Sequence, residues 1–132
     1  MRSEQRIETL PVDHPSFNPP ANTREFIRVD VVKAYRMGLT LQQASALSVV
    51  HQLIKYKSVA STEFKGNCWW YIDGQAIADF SPLVAGSPHT GLQHLLVLKL
   101  KGLIDIDEVM DRTSLKMIVR IKTTVLLRKG SL

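Results

Sequence analysis

The stretch that most constrains this chain runs from Asp73 to Ile104, where a serine–proline pair and a lysine–glycine pair bracket an apolar run. Ser87 can satisfy free backbone N–H groups at a helix start, and Pro88 at the first helical position gives up only a donor that has no partner there. Gly102 ends that helix, because glycine enters the left-handed conformation at a C-terminus at least cost. Leu103-Ile104 then opens a strand. Upstream, Gln75, Ala76, Ile77, Ala78 and Phe80 make a shorter helix whose small-residue face lets another helix approach closely, with Ser81 to Gly86 as the turn between the two.

On a wheel of about 100° per residue, setting Gly91, Leu95 and Leu98 inward, as the winged helix-turn-helix pattern that this stretch resembles requires, sends His89, Gln93, Leu96 and Leu100 outward. The polar part of that outer face suits a groove: His89, Thr90 and Gln93 can donate or accept at base edges and phosphates, and glutamine is a good partner for adenine. The helix start adds N–H groups and a positive dipole end that favour a phosphate. The rest is apolar, with Leu92 and Val97 joining the other leucines until the helix is hydrophobic nearly all round, a pattern that normally means cover on more than one side. Two leucines left in water forgo roughly 1.5–3 kcal/mol each. Leu96 and Leu100 are therefore expected at a dimer or partner interface.

The order Ile77-Ala78, Ser87-Pro88-His89-Thr90, Leu95, Leu98 and Lys101-Gly102-Leu103-Ile104, followed by a hairpin pattern, resembles the winged helix-turn-helix superfamily over Trp69 to Thr123. The resemblance implies an α+β, mainly α fold with a small antiparallel hairpin wing and extra N-terminal helices. It also implies a second helix offered to a DNA major groove with the wing beside it. The expected DNA-binding residues are Ser87, His89, Thr90 and Gln93 on the helix and Arg112, Lys116 and Arg120 on the hairpin. The chain departs from the family pattern twice: the linker Ser81 to Gly86 is long, and Gly91 stands where an apolar packing residue is usual.

Charge supports a polyanionic partner but also limits it. The net charge is +5 and the pI about 9.6, values that favour nucleic acid. Within residues 102–132, however, Asp105, Asp107, Glu108 and Asp111 come first and Arg112, Lys116, Arg120, Lys122, Arg128 and Lys129 follow. Folded as a hairpin, an acidic strand lies against a basic one and cross-strand pairing neutralises part of the charge. Two readings of Arg112, Lys116 and Arg120 stay open, a phosphate-binding wing and a solvated hairpin paired with Asp105 and Asp107. The helix itself holds no arginine, the residue that most often reads guanine, so affinity is expected to be modest and to fall steeply with salt.

The 132 residues, 45% of them hydrophobic and 22% charged, suit one folded domain with a real core. Residues 1–23, with Pro11, Pro15, Pro19 and Pro20, read as an irregular arm, residues 24–124 as the winged-helix domain and residues 125–132 as a basic tail. A helix is expected from Asp30 to Met37 with Gly38 as its stop. Thr40-Leu41-Gln42-Gln43 is a capping-box pattern that starts a helix reaching Tyr56, with Leu47, Val50, His51 and Ile54 on one face and Ala44 alongside. Ser58 to Asn67 reads as a polar link. Cys68 to Ile72 favours a strand joined to the wing sheet, with Trp69 and Trp70 on opposite faces. Strands over Leu103–Val109 and Leu115–Thr123 flank a turn, and Leu115, Met117, Val119 and Ile121 alternate with Lys116, Ile118, Arg120 and Lys122.

Catalytic and metal signals are weak. His89 and His94 are five apart, unlike the i, i+4 pair that converges on zinc. The acidic run lacks the spacing and turn glycine of a calcium loop. Cys68, the one cysteine, has no disulfide partner within the chain and reads as a small buried apolar group. No phosphate-cradling glycine loop or nucleophile elbow is present. No enzyme activity, cofactor or metal is expected, nor is a membrane span or signal peptide, which points to the cytoplasm. The expected role is binding of double-stranded DNA by a homodimer, as a transcription regulator or an accessory replication or maintenance factor of a plasmid or phage. The alternative is an assembly module whose apolar helix docks a protein partner and never touches DNA.

Overall fold

A computed structural model describes residues 27–122 of the chain. In chain order they form α1 (Val31–Arg36), α2 (Leu41–Lys55), β1 (Ser61–Phe64), β2 (Asn67–Trp70), α3 (Gly74–Phe80), α4 (Pro88–Leu100), β3 (Ile104–Asp111) and β4 (Ser114–Ile121). The fold is α+β, its strands making one antiparallel sheet in the order β1-β2-β4-β3. The arm over 1–23, the tail over 125–132 and both edges of the 24–124 domain lie outside the described residues.

Local chemistry sets the helix ends. The Asp30 carboxylate accepts from the Lys33 N–H at 2.9 Å to start α1. Gly38, at φ +74°, ends it, with the Leu39 N–H reaching back to the Ala34 carbonyl at 3.0 Å, the paired-bond cap that a left-handed residue permits. Thr40 and Gln43 then form the reciprocal box, each side chain taking the other's backbone N–H at 3.1 and 3.0 Å.

Helix α2 is the centre of the core and touches α1, α3 and α4. Its buried face is wider than the stripe read from spacing: Ala46, Val49 and Leu53 are buried with Ala44, Leu47 and Val50, whereas His51 and Ile54 are half-buried. The reason is that a second wall, the segment Ile27–Val29, lies along α2. Ser48, buried on that side, donates its hydroxyl to the Arg28 carbonyl, and Gln52 Nε2 donates to Ser48 Oγ at 3.0 Å. Leu47, Ile72, Ile77, Leu95 and Leu98 meet Ile104, Val119 and Ile121 of the sheet in one cluster.

The sheet corrects several expectations. Ser58 to Asn67 is not a plain polar link, since β1 and β2 pair through it around a two-residue turn, Lys65-Gly66. Both turn residues have positive φ, 52° and 80°, the mirror-image turn whose twist matches the flanking strands. The wing hairpin is longer than the small one expected, β3 and β4 being eight residues each, and the strand β2 joins it as expected, where Trp70 lies opposite Val119. Only Arg112-Thr113 form its turn, because Asp111 pairs with Ser114. Cys68 is exposed rather than buried, as it lies on β2 beyond the position where that strand meets β4. Trp70 packs on the main core, while Trp69, only 6% exposed, faces the other way. There its ring meets Phe64 edge-on at 5.7 Å between centroids, and its Nε1 donates to the Phe64 carbonyl at 3.0 Å. Ile118, expected on the polar side of β4, is fully buried.

Candidate nucleic-acid interface

The front of α4 is held in place by backbone contact. A Cβ added to Gly91 would sit 2.3 Å from the Gly74 carbonyl oxygen, and one added to Gly74 would sit 1.9 Å from that of Pro88. Helices α3 and α4 therefore cross with no side chain between them. This accounts for Gly91 where a larger apolar residue is usual. The connecting loop is pinned as well: His94 Nε2 donates to the Val84 carbonyl at 2.8 Å, and the Ser81 carbonyl accepts from Val84 and Ala85 at 3.0 and 3.1 Å. His94 is thus a bracing residue.

With its back fixed, α4 turns His89, Gln93, Leu96 and Leu100 to solvent. Ser87 and Thr90 are half-buried and engaged with each other: Ser87 Oγ accepts from the Thr90 N–H at 3.2 Å and lies 3.2 Å from Thr90 Oγ1. Pro88 has no N–H and the Gly91 N–H bonds to the Ser87 carbonyl. Among the described residues this leaves the His89 N–H, with the His89 and Gln93 side chains, as the polar groups at the tip without partners.

The hairpin cations separate into distinct roles. Arg112 occupies the apex, exposed, with no ion pair among the described residues. Lys116 is exposed and lies 3.7 Å from Asp111, a surface pair of small energetic weight. Arg120 is committed elsewhere. Its guanidinium is 3.1 Å from Asp105 and lies over the Trp69 ring at 5.5 Å. Its neighbours Val119 and Ile121 belong to the core, so alternation along the strand puts Arg120 on the sheet face away from the helices. Asp105 also receives Lys122 at 3.7 Å. The structure brings His89, Gln93, Thr90 and Ser87 together and leaves Arg112 and Lys116 available on the hairpin, but it does not join Arg120 to them.

Between the wing and the start of α3 lies a cleft of about 590 Å³ that includes Asp73, Glu108 and Asp111 with Lys116 as its one cation. Three carboxylates against one lysine disfavour a phosphate backbone there. Apolar surface flanks the same helix: Leu100 is 86% exposed, Leu83 96% and Leu96 44%. Lys101 Nζ reaches the Gly38 carbonyl at 3.4 Å and ties the end of α4 to the end of α1, whose Val31, Val32 and Tyr35 are also exposed. Among the described residues no group of three His, Cys, Asp or Glu is placed to hold a metal, and no helix is long and apolar enough to cross a membrane. No protein-family model matches the chain, and no curated protein or solved structure was found similar to it.

Proposed function

We propose that the chain is a winged-helix DNA-binding protein that sets the front of α4 in the major groove of double-stranded DNA and rests the β3–β4 tip on the backbone beside it. The order α2, β2, α3, α4, β3, β4, with β2 adding to the hairpin, supports the winged-helix reading. The observation that carries the role is the orientation of α4. His89 and Gln93 project into solvent from a helix whose opposite side is locked backbone to backbone at Gly91. Arg112 and Lys116 supply phosphate contacts, Ser87 and Thr90 hold the helix start, and Arg120 braces the sheet. In this reading the protein acts in the cytoplasm as a transcription regulator or as an accessory replication or maintenance factor of a plasmid or phage. It does so as a homodimer that covers Leu96 and Leu100 with residues of the first 60.

The test is retention of duplexes from a random pool, followed by anisotropy at low and moderate salt. His89→Ala with Gln93→Ala should weaken the selected duplex about tenfold, the scale of one good base contact. Arg112→Ala with Lys116→Ala should lower affinity on all sequences and reduce the salt slope by about two. Failure to retain any duplex at low salt would sink the reading. The second reading, an assembly module without DNA, is favoured by one observation, the exposed Leu83, Leu96 and Leu100 around α4. It predicts that Leu96→Ser with Leu100→Ser abolishes association while no duplex is bound at any salt.

A further inference from the structure

A second concave surface lies along α2, where the segment Ile27–Val29 packs beside the helix and leaves a groove of about 730 Å³. Arg28, His51, Gln52, Lys55 and Tyr56 line it, and none of its lining residues belongs to α3, α4 or the sheet. His51 and Lys55 are one helical turn apart on the same face. The Ser48 hydroxyl on the Arg28 carbonyl holds that residue's backbone beside α2, so the basic residues that line the groove come from two separate segments. Among the described residues no carboxylate lines it. Lys55 lies over the Tyr56 ring at 5.6 Å, and Gln52 is oriented by its bond to Ser48.

Two cationic residues on one groove, with no carboxylate among the described residues lining it, describe a place that an anion would complete. The guanidinium of Arg28, the ammonium group of Lys55 and the His51 imidazole, all in residues that line the groove, match the several acceptor oxygens of a phosphate better than the two of a carboxylate. The volume falls in the range usual for small-ligand sites. From this arrangement we propose that the groove between Ile27–Val29 and α2 is a phosphate-binding site, with Arg28 and Lys55 on the anion and His51 beneath it. It is a separate site from the α4 surface and stands whether or not that surface binds DNA. Burial, and then the neighbouring Lys55, hold the His51 imidazole below its usual value of 6.5. A phosphate bound beside it stabilises the imidazolium and offsets the Lys55 charge, so occupancy raises the His51 midpoint. Arg28, Lys55 and Tyr56 are the other titratable or charged groups in the groove.

The experiment is an NMR titration of the His51 imidazole in the full chain. Inorganic phosphate, a nucleoside monophosphate or a short DNA duplex is added in turn, against sodium chloride at matched ionic strength. The expected result is a saturable upward move of the His51 midpoint with a phosphate-bearing probe and not with chloride. The half-saturating concentration should rise about tenfold or more in Arg28→Gln and in Lys55→Gln, the scale of one charge-assisted hydrogen bond. Response to the free phosphates identifies a small-molecule site, and response to the duplex alone identifies backbone phosphate as the source. His94, bonded to the Val84 carbonyl, reports that the variants remain folded. No shift with any of the three probes, or the same shift with chloride, overturns the proposal.

Discussion

Arg112 sits at the hairpin apex with φ +61°, a backbone conformation that places an L residue's Cβ close to the following carbonyl oxygen and costs roughly 1–2 kcal/mol. Glycine at that position would relieve the strain but bring more chain entropy to the unfolded state. Arg112→Gly is therefore expected to raise stability by up to about 1 kcal/mol in urea unfolding while lowering duplex affinity. A variant that is both less stable and fully active would contradict both parts. Part of this residue's position was legible beforehand, since the change from acidic to basic charge between Asp111 and Arg112 marks the apex. Its left-handed backbone was not, because arginine carries no signal for positive φ. Arg120 shows a second kind of limit. Alternation with Val119 and Ile121 puts it opposite the core, but that Trp69 lies under its guanidinium depends on β2 pairing with β4, a contact about fifty residues away in sequence that no local spacing encodes.

Elements whose ends are set by neighbours a few residues away were readable, and those that depend on another element were not. The Asp30, Thr40 and Ser87 caps and the Gly38 and Gly102 stops all act within one turn, and the helices begin and end at them. The β1–β2 hairpin escaped because its turn begins with Lys65 in a left-handed conformation. The width of the buried face of α2 escaped because its second wall is the segment around Arg28. The α3–α4 crossing belongs with these, since the value of Gly91 is visible only once Gly74 is seen against it. Gly91→Ala forces the two backbones apart and is expected to destabilise by about 1–3 kcal/mol or more, with loss of duplex binding as the front of α4 moves. Gly86→Ala, in open space and outside the positive-φ region, is the control and should change thermal stability little. Similar losses from both would mean that generic helix or loop effects, not the crossing, set the cost.

At the scale of the whole molecule, the sheet works on two sides. Helices cover one through Ile104, Val119 and Ile121, and on the other the Trp69 ring meets Phe64 and lies under Arg120. The edge of the sheet is a further surface open to another chain. Strand β3 is terminal in the order β1-β2-β4-β3 and runs for eight residues, so along its outer side it presents backbone donors and acceptors of the kind that template a further strand. Asp105, Asp107, Glu108 and Asp111 punctuate that same strand. Beyond the ion pairs of Asp105, Asp107 and Asp111, their charge is expected to act as a fence: a second copy laid alongside would bring carboxylates against carboxylates. Asp107→Asn with Glu108→Gln should take the fence down, and light scattering would then register a rise in apparent mass while circular dichroism still reports folded secondary structure.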